Sequence, residues 1–278
     1  MYKIGFMQGR LSEVIDGKIQ AFPWQFWKEE FEQASEIDIP LMEWTLDQLE
    51  LYSNPLMTAD GQEKIIQLSE DNDVKIPSLT GDCFMQEPFW KATNDNREAL
   101  IADFNAIVCA CGLLNVQTIV VPLVDNGALT SDQEEKYLID VLADHEIMLA
   151  ENRVKIAFES DFAPVALKRF IGKMNPSLFG INYDIGNSAA LGFDVNEEFS
   201  SYGDRILNVH VKDRPLGGTT VPLGDGNADF KTVFSKLSEY GYKGNYILQT
   251  ARDSSGQHSQ AIKNYLDMTI DWISQYES

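Results

Sequence analysis

Residues 118–160, TIVVPLVDNGALTSDQEEKYLIDVLADHEIMLAENRVKIAFES, decide the fold. TIVVPLV (118–124) and KIAFES (155–160) are short apolar runs of strand type. Between them, SDQEEKYLIDVLADHEIMLAEN (131–152) is longer and amphipathic, which predicts a helix with Ser131 at its N-cap. Strand, crossover helix, strand is the repeating unit of a parallel sheet.

The same alternation extends in both directions. Strand-like runs recur at 3–8, 40–46, 74–81, 179–184, 206–213 and 246–251. Helical patterns follow them at 27–37, 61–72, 96–112, 164–174, 197–203, 229–241 and 258–276. In the first of these, Trp27, Phe31, Ala34 and Ile37 fall at helical spacing. Asn96 and Asp229 read as further N-caps, and Gly112 and Gly241 as C-caps. Eight strands alternating with eight helices predict an α/β chain folded as one (β/α)8 TIM barrel over residues 1–278. An open doubly wound sheet would carry a glycine-rich phosphate turn after its first strand, and MQGRLS (7–12) is not one.

The formal charge is -21, from 43 acidic and 22 basic residues. Such a surface repels phosphate backbones and anionic membranes, so neither nucleic acid nor a membrane is an expected partner. No apolar run reaches the length of a membrane span, and MYKIGFMQGRL is too polar for a secretory leader. Cys83, Cys109 and Cys111 have no zinc or redox spacing and read as reduced core thiols of a cytoplasmic protein.

In a barrel of this kind the chemistry sits at the C-terminal ends of the strands. Glu159 ends strand 5, Asp184 ends strand 6 and His210 lies at the end of strand 7. Two carboxylates and an imidazole arriving at one rim from adjacent strands form a donor set for a divalent cation: Mn, Zn, Co or Mg.

AFES with Glu159, NYDIGNSAALGFD with Asp184, NVHVKD with His210, MEWTLD with Glu43, and LGDGNADFKTVFSKLSEYGYKGNYILQT together resemble the xylose isomerase-like TIM-barrel superfamily. The opening GFMQGRLS with GKIQAFP (17–23) is most similar to a branch of sugar-phosphate isomerases. The resemblance implies a metal-dependent sugar or sugar-phosphate isomerase or epimerase. Glu159, Asp184, His210 and Gln249 match the metal-ligand positions, with Glu159 also the base and the proton passing through a metal-held enediolate. Two positions depart from the family. Gln249 stands where many relatives carry a glutamate that is both ligand and second base, and an amide cannot abstract a proton. Asn187 stands where many relatives have a substrate-contacting histidine. Either a single base suffices, or Glu43 or Asp213 supplies the missing carboxylate.

Arg10, Lys212, Arg214 and Arg252 follow strand ends, which points to an anionic substrate or to ion pairs with rim carboxylates. GGTT (217–220) and GDGN (224–227) offer backbone N–H groups to a phosphate or form ordinary turns. Substrate contacts are therefore expected from Arg10, Glu43, Asn187, Lys212, Asp213, Arg214 and Arg252. The early aromatics Trp24, Trp27, Trp44, Phe84, Phe89 and Trp90 read as core or as pocket wall. The alternatives are a polyol or inosose-type dehydratase on the same scaffold, and a catalytically degenerate barrel that binds a ligand. The expected partner is a small sugar or sugar phosphate, with a homodimer packed through barrel helices as a further expectation.

Overall fold

Eight parallel strands hydrogen-bond in sequence order and close on themselves, β1 pairing with both β2 and β8. They are β1 (Ile4–Met7), β2 (Leu41–Thr45), β3 (Lys75–Thr80), β4 (Thr118–Leu123), β5 (Lys155–Ser160), β6 (Phe179–Asp184), β7 (Ile206–Val211) and β8 (Asn245–Leu248). This computed structural model describes residues 2–15, 17 and 20–276; Lys18 and Ile19 of the GKIQAFP segment lie outside the described residues. The closed (β/α)8 barrel is the fold that the alternation predicts.

Apolar side chains explain the closure. Trp44, Phe6, Phe31, Phe104, Phe158, Phe170, Phe179 and Phe199 are almost wholly buried between strands and helices. Each such aromatic contributes on the order of 2–3 kcal/mol on leaving water. Trp27, Phe84, Phe89 and Trp90 belong to the same core, whereas Trp24 is 37% exposed. Cys83 and Cys111 are buried thiols; Cys109 is exposed, the one cysteine that departs from the expected core position.

The local signals are mostly realised. Ser131 and Asp229 accept the N–H groups of Glu134 and Thr232, satisfying helix-start donors. Gly241 takes φ +67°, the left-handed conformation that ends a helix at little cost. Three readings differ. Asn96 lies inside a helix that begins at Asn94, and Gly112 lies inside the same helix, Asn94–Leu113. Gly112 is small for packing: a Cβ there would meet the Asn152 side chain at 2.4 Å. The long helix over 131–152 is two helices, Asp132–Asp144 and Glu146–Asn152, broken at His145, whose ring binds the Val141 carbonyl at 2.6 Å. Among the described residues no helix is long and apolar enough to cross a membrane.

Candidate active site

Strand registry brings the site together. Asp184 of β6 pairs with His210 of β7, and Asn182 pairs with Asn208 one pleat below. Side chains two apart on a strand share a face, so these four form two polar layers. Glu159 reaches the upper layer from β5. One ligand atom each from Glu159, Asp184 and His210 lies within 4.8 Å of the others, the separation a single divalent ion requires. His210 Nδ1 stands 3.2 Å from Glu159 Oε2 and 3.9 Å from Asp184 Oδ2.

Beneath the triad, Glu43 Oε1 holds His210 Nε2 at 2.7 Å. A carboxylate on the far nitrogen fixes the ring and aims Nδ1 at the other two groups, as in many histidine–metal sites. The second Glu43 oxygen accepts from Ser78 (2.6 Å) and Asn208 (2.8 Å). Asn208 donates on to Asn182 (2.9 Å), and Asn182 donates to Glu159 Oε2 (2.9 Å). This belt of hydrogen bonds joins five strands and is buried throughout. Ser78, Asn182 and Asn208 escaped the sequence analysis. Their signal is a polar residue at an inward position of an otherwise apolar strand, a costly choice unless it is partnered.

Electrostatics favour an ionised Glu159. Burial pushes its pKa up, but the hydrogen bond and charge of His210, then Lys212 and Asn182, outweigh that and hold it below the usual carboxylate value. Burial opposes charge on His210, yet Glu43 and Glu159 raise its pKa to about 10. Asp184 is shifted upward by burial, against the pull of Lys212. Two carboxylates and an imidazole within reach of one point form a donor set that fits a divalent ion.

A cavity of about 660 Å³ opens above the triad, lined by Glu159, Asn187, Lys212, Arg214, Gln249 and residues of the β3–β5 loops. Asn187 donates to Glu159 Oε1 (2.7 Å) and accepts from Arg214 (2.7 Å). The Lys212 ammonium bridges Asp184 Oδ2 and Gln249 Oε1, each at 3.2 Å. Gln249 reaches the triad through this lysine.

The other expected contacts lie elsewhere. Glu43 is fully buried under His210 and does not line the cavity. Asp213 accepts the N–H groups of Gly224, Gly226 and Ala228, so its carboxylate clamps a loop. Arg10 is buried and donates to Gln20 at 3.4 Å, and Arg252 donates to the Ser12 carbonyl at 2.6 Å. Asp82, which sequence reasoning passed over, lines the cavity. Burial and then Asp47 raise its pKa to about 7, against a hydrogen bond from Gln20. None of the early aromatics lines this cavity.

A family model described as a xylose isomerase-like TIM barrel matches residues 31–275. The SgbU protein of Escherichia coli K12, whose assignment as an L-ribulose-5-phosphate 3-epimerase is provisional, is 23% identical across 80% of this chain and 83% of that one. The inosose dehydratase of Geobacillus kaustophilus is 27% identical over 50% of this chain and 54% of its own length. Among solved structures, a zinc-bound IolI protein superposes with a TM-score of 0.77 at 18% identity, covering 99% of each chain. The D-psicose 3-epimerase of Clostridium cellulolyticum H10, solved with D-tagatose, superposes with a TM-score of 0.73 at 12% identity, covering 98% of this chain and 99% of that one.

Proposed function

Because the chain belongs to the xylose isomerase-like TIM-barrel family, we propose that it is a divalent-metal-dependent enzyme that isomerises or epimerises a sugar or sugar phosphate. The observation that carries this reading is the convergence of Glu159, Asp184 and His210 within 4.8 Å at the mouth of a closed barrel. The sugar-acting relatives support it.

Glu159, Asp184 and His210 would hold the ion, with the Gln249 amide oxygen as a fourth donor once Lys212 gives way. When bound, the ion polarises a substrate carbonyl and stabilises the negative charge that develops on its oxygen. Glu159, kept ionised by its neighbours, accepts the proton from the carbon next to that carbonyl. Asn182 and Asn187 each hold one oxygen of its carboxylate and fix its aim. Gln249 cannot serve as a second base, and Asp213 and Glu43 are committed to other partners. Asp82, on the cavity wall with a pKa of about 7, is the carboxyl suited to return a proton near neutrality.

The test is deuterium wash-in. Protein loaded with Mn²⁺ is incubated with candidate ketoses in D₂O, and the carbon beside the carbonyl is followed by NMR. Exchange that disappears in Glu159→Gln supports the reading. A Glu159→Gln variant that exchanges as fast as the parent removes it. Loss of water from the product redirects it to the dehydratase chemistry named for the Geobacillus relative.

A further inference from the structure

Gln20 sits in the loop after β1, half-buried at the cavity wall. Both ends of its amide are bonded. Oε1 accepts from Gln249 Nε2 at 3.0 Å and from Arg10 Nη2 at 3.4 Å. Nε2 donates to Asp82 Oδ2 at 2.9 Å. Gln249 and Asp82 lie 229 and 62 positions away in the chain, so one side chain ties the ends of β3 and β8 to the loop after β1.

A glutamine amide has two unlike ends. Its oxygen can ligate a cation, and its NH2 can only donate. The end that Gln249 turns toward the triad therefore decides whether it can serve as a metal donor. Lys212 and Arg10 carry donors alone, and they settle the orientation from both sides. Lys212 Nζ, 3.2 Å away, calls for Gln249 Oε1 and leaves Gln249 Nε2 to face Gln20. The buried Arg10 guanidinium calls for Gln20 Oε1 and leaves Gln20 Nε2 to face Asp82. When Lys212 gives way to an ion, the Gln20 oxygen still holds the NH2 end of Gln249 away from the ion position.

The bond to Asp82 works in the same direction as the chemistry. A donated N–H favours the ionised carboxylate and opposes burial, Asp47 and Glu159, which push Asp82 the other way.

We propose that Gln20 is a positioning residue with two neighbours to set: its oxygen turns the amide oxygen of Gln249 toward the ion position, and its NH2 holds the Asp82 carboxylate in place on the cavity wall. This rests on the proposed function above and adds to it a residue that acts through other side chains.

Two variants separate the two roles. Gln20→Glu keeps an oxygen for Gln249 and Arg10 but has no N–H for Asp82, and Gln20→Leu has neither. Mn²⁺ affinity, measured by calorimetry, is expected to fall about tenfold in Gln20→Leu and to hold in Gln20→Glu. In a Gln249→Glu background Gln20→Leu is expected to cost no affinity, because a carboxylate has no wrong end. An equal loss in both backgrounds, or parent-like affinity in Gln20→Leu, overturns the Gln249 role. The Asp82 carboxyl, followed by ¹³C NMR, is expected to titrate about one pH unit higher in both variants. An unmoved midpoint overturns the Asp82 role. The Gln249 side-chain NH2, followed by ¹⁵N NMR in the metal-free protein, is expected to stay protected from exchange in Gln20→Glu and to lose protection in Gln20→Leu. A parent that binds no Mn²⁺ removes the proposed function, and the two NMR readouts then decide the positioning by themselves.

Discussion

Glu43 Oε1 and His210 Nε2 lie 2.7 Å apart, joining strands β2 and β7 across the barrel interior, with both side chains fully buried. The carboxylate lies beneath the ring and does not line the cavity. It sets the ring so that Nδ1 faces Glu159 and Asp184. Glu43→Gln is expected to lower divalent-metal affinity by about 10- to 100-fold, the usual cost of losing a partner behind a ligand. Glu43→Ala also strips Ser78, Asn208 and His210 of an acceptor and should destabilise the fold by about 3–5 kcal/mol. Metal titration followed by calorimetry, beside thermal unfolding, separates the two effects. Unchanged metal affinity in Glu43→Gln would show that the ring needs no orienting partner.

Metal binding is expected to strengthen with pH. The His210 pKa is raised to about 10, so the ring carries a proton at neutrality, and only the neutral ring ligates. Lowering the pH below that value adds protons that compete with the ion, about tenfold in affinity per pH unit. Glu159 is held below the ordinary carboxylate range and adds no further loss until acid pH. Titrations in buffers of different ionisation enthalpy should count about one proton released per ion at pH 7. A flat pH profile between 6 and 9 would contradict the assigned ligand.

Asp82→Asn distinguishes one base from two. If Asp82 returns the proton, the variant retains deuterium exchange through Glu159 but loses inversion at carbon by roughly 100-fold or more. A step in kcat/KM near pH 7, matching the Asp82 pKa of about 7, should vanish with it. Equal loss of exchange and inversion would assign Asp82 a structural role through Gln20.

Gln249→Glu adds a third carboxylate beside the ion position, and the extra charge is expected to tighten metal binding by about tenfold or more. Lys212 already neutralises part of that charge from 3.2 Å. Turnover that appears only in the variant would favour the degenerate-barrel alternative.

Asp213→Ala removes the acceptor for Gly224, Gly226 and Ala228. Three buried or half-buried N–H groups then lose their partner, at a cost of about 2 kcal/mol and a few degrees in Tm. KM below the unfolding range should hold, because the carboxylate faces its own loop. A large rise in KM with unchanged Tm would restore Asp213 as a substrate contact.

The amino-acid pattern alone fixed the eight-fold strand–helix alternation and the strands that carry Glu159, Asp184 and His210. It did so because burial period and strand ends are local properties of the chain, and β5 and β6 end at the predicted residues. Partner choice was not legible there. Whether Glu43, Asp213 and the four rim cations face a ligand or face each other depends on side chains that strand registry and loop closure bring together from far along the chain. Glu43 and His210 are 167 positions apart, and Arg252 and Ser12 are 240. A charged group near a cavity is free for substrate only when no nearer protein atom satisfies it, and that competition is settled by three-dimensional distance.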